Sequence, residues 1–147
     1  MTSLVRILLI GDIVGKPGRR IVQHHLAAIR LRHQLDIVIA NGENAAEGSG
    51  ITPLIYHDLI AAGVDCITLG DHIYRRKEIY SVLETESRIV KPANFPATAP
   101  GKNWAIVTAA SGVRVLAFES GRTLLLEQDE LAKLVKQHRV SLLTLNA

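Results

Sequence analysis

Several features that define common protein classes are scarce or absent in this sequence of 147 residues. Cys66 is the only cysteine, so no disulfide forms within the chain, and we expect a reducing, cytoplasmic environment. No run of 18 apolar residues is present, so no membrane span is predicted. The net charge at pH 7 is +3, without a long basic run, and we therefore do not expect nucleic-acid binding.

Aromatic residues are also few, at 4% of the chain, whereas hydrophobic residues together reach 48%. Leu, Ile, Val and Ala must therefore fill the core of what the length predicts to be a single domain over residues 1–147. The amino terminus leads directly into an apolar run, with Arg6 as the only charge before Asp12. We interpret this segment as a core strand rather than a signal peptide, because no small-residue cleavage site follows.

Short β-rich runs alternate with helical stretches along the chain. This alternation predicts an α/β fold, with a layered, mostly parallel sheet and flanking helices. A turn at Ser111-Gly112 predicts that the two strands around it form an antiparallel hairpin. The predicted strands are 4–10, 36–40, 65–69, 88–90, 104–108, 113–118 and 140–145, and helices are predicted near 76–83 and 128–138.

Apolar spacing and end signals define the first two helices. Pro17 suits the first turn of a helix on which Val22, Leu26 and Ile29 repeat at helical spacing. Thr52 followed by Pro53 predicts the start of the second helix, and Gly63 predicts its end. The buried face of this second helix is predicted to contain Leu54, Ile55, Leu59 and Ile60.

Three successive predicted strands end in a glycine followed by polar residues, at Asp12, at Glu43-Asn44 and at Asp71-His72. The carboxyl ends of parallel strands meet at one edge of a sheet, so we expect these five side chains to lie close together. Three carboxylates at short range require compensation, and oxygen with imidazole donors suits Mn, Fe, Zn or Mg. A metal or phosphate site is therefore predicted. The structural alternative is that each Gly-Asp is an ordinary strand end and that His72 caps the next helix.

Two other aspartates lie at the opposite, amino-terminal ends of predicted strands. Asp36 and Asp65 begin the second and third strands, whereas parallel α/β sheets bind ligands at their carboxyl ends. We interpret both as turn or cap residues. Cys66 follows Asp65 within a strand and is predicted to be buried as an apolar residue.

Four strings appear in order between about residues 4 and 123: GDIVGKPGR, NGENAAEGSGIT, ITLGDHIYRRKEI and VKPANFPATAPGK. With these strings the chain resembles the YmdB-type metallophosphoesterases of the calcineurin-like superfamily. The resemblance implies the N-terminal half of the calcineurin-like phosphoesterase fold. It also implies one or two divalent metal ions (Fe, Mn or Zn) as cofactor, and hydrolysis of small phosphodiesters, including cyclic nucleotides.

The resemblance assigns roles to the five residues at the strand ends. Asp12, Glu43 and Asn44 match ligands of one metal ion, and Glu43 also matches the ligand that bridges to a second. Asp71 stands where the family has an Asn ligand of that second metal ion. His72 matches the proton donor to the leaving oxygen.

Other polar residues are weighed for substrate binding. Arg19 follows the end of the first strand and is able to reach a phosphate, because helix amino termini favour anions. An equally weighted alternative is that Arg19 is an ordinary solvated charge on the surface. Asn94, in the PANFP string, is implied by the resemblance to line the site. We interpret the remaining basic residues as surface groups: Arg75, Arg76 and Lys77 after His72, and the helical residues His24, His25, His33 and His57.

The chain departs from the family in its missing histidines. The family draws three further His ligands from a C-terminal half that this sequence lacks, and Asn146 stands where the first would be. His138, the only later histidine, belongs on a helix face. A complete dinuclear centre from this chain alone is therefore not expected.

Three functional hypotheses follow. The first is a metal-dependent phosphodiesterase, active alone or completed by a homo-oligomer or a partner chain. The alternative is a truncated, non-catalytic relative that serves as an assembly or binding module. A nucleotide-binding domain without hydrolysis is the weakest, because GDIVGKPG is not the GxGxxG pattern that such a domain requires.

Overall fold

A four-stranded parallel sheet is the centre of the fold, as the computed structural model shows over residues 5–117. The strands lie in the order β1-β2-β3-β4, and a helix connects each strand to the next. The elements are β1 (Ile7–Asp12), α1 (Gly15–His33), β2 (Ile37–Asn41), α2 (Pro53–Ala61), β3 (Cys66–Thr68), a 3₁₀ helix (Lys77–Ile79), α3 (Tyr80–Thr85), β4 (Ile89–Val90), β5 (Ala105–Thr108) and β6 (Arg114–Ala117).

This architecture confirms the predicted α/β class with a mostly parallel sheet and flanking helices. The predicted hairpin is confirmed as well, because β5 and β6 pair antiparallel. The helix predicted near 128–138, the strand at 140–145, His138 and Asn146 lie outside the described residues. Within residues 5–117, no helix is both long and apolar enough to cross a membrane.

One face of the sheet is covered by the three helices. Val38 and Ile67 on this face are fully buried, and Leu26 of α1 and Leu59 of α2 belong to the same apolar cluster. Consecutive parallel strands joined by right-handed connections place their helices on one side of the sheet. Leu8, on β1, packs against this cluster from the edge of the sheet.

The hairpin covers the opposite face. Ile37 and Cys66 on that face are fully buried in a second apolar cluster, together with Ala105 and Val107 of β5. The prediction that Cys66 is a buried apolar residue is confirmed. Both faces are therefore occupied, which explains why the strands are nearly continuous apolar runs in the sequence.

The ends of α2 agree with their sequence signals. The Thr52 hydroxyl accepts a hydrogen bond from the Ile55 backbone N–H at 3.3 Å, and Pro53 occupies the first turn. Gly63 has a φ of +107°, a conformation in which glycine avoids a side-chain penalty. The helix therefore begins and ends where the sequence predicted.

One residue that the sequence assigned to the buried face of α2 is wrongly placed. Leu54 is 71% exposed, because it lies roughly 100° around α2 from Ile55 and away from the sheet. Tyr56 is buried instead, and its hydroxyl donates a hydrogen bond to Glu86 Oε2 at 3.1 Å. On α1, Val22 and Leu26 are buried, whereas Ile29 is 37% exposed.

Lys91, directly after β4, is almost completely buried. Its ammonium group donates hydrogen bonds to the carbonyl oxygens of Pro96 at 2.8 Å and Ala99 at 2.6 Å. Burial lowers the pKa of this lysine. The proline-rich loop, which the sequence predicted only as a loop, is thus organised around a buried cation.

Candidate functional site

Asp12 reaches the surface because β1 is irregular at its end. The register between β1 and β2 shifts between Ile10 and Asp12, so that Gly11 is an extra residue. In a regular strand Asp12 would share a face with Ile10, which packs against the helix-side core. The bulge breaks this alternation and leaves the Asp12 side chain exposed at the carboxyl edge of the sheet.

Glu43 lies against the backbone of the loop that follows β3. A Cβ atom added to Gly70 would be 2.6 Å from Glu43 Oε1 and closer still to Oε2. The His72 backbone N–H donates a hydrogen bond to Glu43 Oε2 at 3.1 Å. A side chain at position 70 would therefore have to displace the Glu43 carboxylate, so the glycine permits the close approach of this carboxylate to the backbone.

Asn44 connects Asp12 to His72. Its Nδ2 donates to Asp12 Oδ2 at 2.7 Å, and its Oδ1 lies 2.5 Å from His72 Nδ1. A carboxylate only accepts hydrogen bonds, so the first contact fixes the orientation of the amide. The amide oxygen then accepts from His72, which places a proton on Nδ1.

The second ring nitrogen of His72 is directed away from this chain of hydrogen bonds. His72 Nε2 lies 3.7 Å from Asp71 Oδ2, and the Asp71 side chain is 81% exposed. The His72 side chain is partly exposed. With Nδ1 bonded to Asn44, Nε2 is the ring nitrogen that this chain of hydrogen bonds leaves available for proton exchange.

Within the described residues, Asp12 accepts a hydrogen bond from Asn44, and Glu43 accepts one from the His72 N–H. Among residues 5–117, no lysine or arginine side chain forms an ion pair with Asp12, Glu43 or Asp71. Like charges gathered at short range are costly unless a cation compensates them. The charge and the oxygen donors of this edge therefore fit a divalent metal ion in chemistry.

The number of donors is less favourable to a metal ion. Within the described part of the chain, no group of three or more His, Cys, Asp or Glu side chains is arranged so that it could hold one. Asn44 stands between Asp12 and His72 and is hydrogen-bonded to both. The donor side chains described at this edge thus fall short of a closed metal site.

The two predicted substrate-binding residues lie outside the hydrogen-bonded group. Arg19, on the first turns of α1, donates a hydrogen bond to the Ala45 carbonyl and lies 3.4 Å from Glu47 Oε1. Asn94 is exposed in the loop that follows β4, the strand beside β3 in the sheet. Binding of phosphate by Arg19 and lining of the site by Asn94 stay predictions.

The surface interpretation of the basic cluster after His72 is wrong for one residue. Arg75 and Lys77 are exposed as predicted, but Arg76 is partly buried and donates to two backbone carbonyls of the loop after Asn44. The contact between Asn44 and His72 was also not predicted. Neither contact has a signal in sequence spacing, since both depend on how two loops meet.

The chain is similar to known proteins over most of its length. The family model described as YmdB-like protein matches residues 8–143. A curated relative, the 2',3'-cyclic-nucleotide 2'-phosphodiesterase of Bacillus subtilis (strain 168), is 41% identical over 126 residues. The match covers 86% of this chain and 48% of that protein, so the chain spans about half the length of this relative.

Two solved structures are similar in fold. A hypothetical protein from Thermus thermophilus superimposes with a TM-score of 0.75 and 38% identity, over 90% of this chain and 53% of that one. A structure titled as a novel phosphatase from Mycoplasma pneumoniae gives a TM-score of 0.74 and 26% identity, over 93% of this chain and 52% of that one.

Proposed function

Because this chain belongs to the YmdB-like protein family, we propose that it is a metal-dependent phosphoesterase that hydrolyses phosphodiesters. The observation that carries the proposal is the hydrogen-bonded line from Asp12 through Asn44 to His72, beside the Glu43 carboxylate. The substrate class that we propose is a small cyclic nucleotide, following the name of the Bacillus subtilis relative.

The residues that would hold a divalent metal ion are Asp12, Glu43, Asn44 and Asp71. When bound, the metal ion would supply a Lewis acid that polarises the phosphoryl group and stabilises its developing charge. Its identity we propose as Fe, Mn or Zn, as the resemblance to the YmdB-type metallophosphoesterases implies. Further ligands would come from outside the described residues, since the described set is partial.

His72 would act as the general acid. In its protonated form Nδ1 is held by Asn44, and Nε2 carries the proton that is given to the leaving oxygen as its bond to phosphorus breaks. Asp12 fixes the Asn44 amide and therefore orients the His72 ring. The imidazole then returns to its neutral form with the proton on Nδ1, and takes up the next proton from solvent.

The test is metal-dependent hydrolysis of bis(p-nitrophenyl) phosphate by the full chain, supplied with Mn²⁺, Fe²⁺ or Zn²⁺. We expect the Glu43→Gln variant to lose turnover by about 100-fold or more, because one oxygen ligand loses its charge. Glu84→Gln, on the exposed surface of α3, is the matched control and should leave turnover unchanged. Equal rates for the native chain and Glu43→Gln with every metal would falsify the proposal for this chain.

A second candidate is a non-catalytic binding or assembly module. The observation that favours it is Leu9 on β1, which is 48% exposed although it lies in the middle of a strand. A single exposed leucine is ordinary and only a contiguous apolar patch marks a site of association, so the mass measurement decides this candidate. Absence of turnover combined with a light-scattering mass of two or more chains would favour this candidate over the first.

A further inference from the structure

The loop between Glu43 and α2 is fixed by contacts that the proposed chemistry does not use. The Asn44 carbonyl accepts hydrogen bonds from the backbone N–H groups of Gly15 and Gly48, both at 3.0 Å. The N–H of Ala46 donates to the Gly50 carbonyl at 2.8 Å. Ala45 and Ala46 are almost completely buried. Asn44 is thus the first residue of a tightly folded and partly buried loop, residues 44–50.

Arg76 holds the far side of this loop. Its Nε donates to the Ser49 carbonyl at 3.2 Å, and one terminal nitrogen donates to the Ala46 carbonyl at 3.4 Å. Its side-chain stem packs directly on Gly50, where an added Cβ would be 2.7 Å from Arg76 Cγ. Gly50 has a φ of +81°, so both space and backbone conformation require glycine at this position.

A short hydrogen-bonded turn connects Arg76 to His72. The intervening turn is closed by hydrogen bonds from the N–H of Ile73 to the Gly70 carbonyl at 3.2 Å and from Arg75 to the His72 carbonyl at 3.0 Å. One end of this short segment therefore carries the imidazole that contacts Asn44. The other end carries the guanidinium group that contacts the loop after Asn44.

We propose that Arg76 is a positioning residue, which fixes the loop of Asn44 against the loop of His72 and so maintains the hydrogen bond between these two side chains. The effect of Arg76 on catalysis rests on the proposed function, whereas its effect on the structure of the loops does not. Arg19 supports the same loop from the opposite side through the Ala45 carbonyl. Two arginines from different elements thereby fix the loop that begins at Asn44, one of the proposed metal ligands.

Loss of the guanidinium group should change the position of the His72 ring more than it changes the affinity for the substrate. In Arg76→Met the apolar stem is retained while both donors are lost, so the loop can move relative to His72. We expect kcat with bis(p-nitrophenyl) phosphate and Mn²⁺ to fall about 10-fold or more, with KM unchanged within about two-fold. Arg76→Lys, which keeps one charged donor group, should recover part of kcat.

Two measurements do not need turnover. Amide hydrogen exchange of residues 44–50 should accelerate in Arg76→Met, and ¹⁵N spectra at a fixed neutral pH should show a smaller fraction of His72 with its proton on Nδ1. Arg75→Met is the matched control, because Arg75 is the exposed neighbour, and it should change none of these quantities. Circular dichroism and thermal unfolding establish that each variant is folded; if Arg76→Met is not, Arg76→Lys carries the same comparison.

The outcomes separate the two proposals. If the native chain hydrolyses no phosphodiester with any metal, the proposed function fails, and the exchange and ¹⁵N measurements still decide the role of Arg76. If Arg76→Met is folded and matches Arg75→Met in hydrogen exchange, in His72 tautomer and in kcat, Arg76 is an ordinary surface arginine and the inference is overturned.

Discussion

At the amino-terminal ends of β2 and β3, the Asp36 and Asp65 carboxylates accept hydrogen bonds from backbone N–H groups of the preceding strand segments, at Arg6 and Val38, both at 2.8 Å. Arg30 lies 3.0 Å from Asp65 Oδ2 and compensates its charge. At the carboxyl edge of the same sheet, Asp12 and Glu43 have no such arginine among residues 5–117.

The acidic side chains at the two ends of the sheet thus have different surroundings. At the amino-terminal end the acids complete the backbone hydrogen bonding of the sheet, as predicted for turn or cap residues. At the carboxyl end, Asp12 and Glu43 form no ion pair with a lysine or arginine of the described residues. Asp65 is compensated by an arginine and Asp36 accepts a backbone N–H, whereas Asp12 and Glu43, which we propose as metal ligands, have no lysine or arginine partner within residues 5–117.

The largest effect is expected from Gly70→Ala, which alters the carboxyl end alone. The new methyl group would displace the Glu43 carboxylate, because it would lie 2.6 Å from Oε1. We expect Mn²⁺ affinity, measured by isothermal titration calorimetry, to fall about 100-fold. Glu84→Gln, on the exposed surface of α3 and away from this edge, is the control. Equal loss in both variants would show that the effect is not specific to Glu43.

An intermediate effect is expected at the amino-terminal end from Asp65→Ala. This change leaves the Val38 N–H without its acceptor and Arg30 without its carboxylate. We expect the free energy of unfolding in urea to fall by about 2 kcal/mol, while Mn²⁺ affinity is retained. Asp65→Asn keeps an acceptor and should lose less. A loss of metal affinity in either variant would contradict the separation between the two ends.

The smallest effect concerns the stability of the folded protein at alkaline pH, and it depends on Cys66, the neighbour of Asp65. Burial, with a smaller contribution from Asp65, raises the pKa of this thiol from 9.0 to about 12. The raised folded pKa means that the stabilisation is complete below pH 9 and is lost as the pH rises toward 12. Between pH 7 and pH 10, unfolding measurements should show about 1.4 kcal/mol more destabilisation for the native chain than for Cys66→Ala. Identical pH dependence would contradict this assignment.

Local signals in the sequence predicted much of the fold. Thr52, Pro53 and Gly63 act through the conformation of their own backbone and neighbouring residues, so the ends of α2 were predictable. The hairpin was predictable for the same reason, from its turn. Leu54 was assigned wrongly, because apolar character does not reveal which side of a short helix meets the sheet.

The candidate site was predictable in composition but not in its contacts. Strand-end rules predicted that Asp12, Asn44 and His72 would meet, and they are joined by hydrogen bonds. The roles of Arg76 and Lys91 could not be predicted, because each binds backbone carbonyl oxygens of a loop. Any residue supplies a carbonyl, so such partners leave no trace in side-chain patterns.

The contacts that join the strand ends have a consequence for the order of events during synthesis. Asp12 and Asn44 are separated by 32 residues, and Glu43 and the His72 N–H by 29. Contacts between such distant residues form only after the intervening chain has closed into a loop. On the ribosome, a chain that has not yet emerged beyond His72 therefore lacks this arrangement. A ligand of this edge would consequently bind only late in synthesis. Its binding would show that the first three strands have paired in their final register.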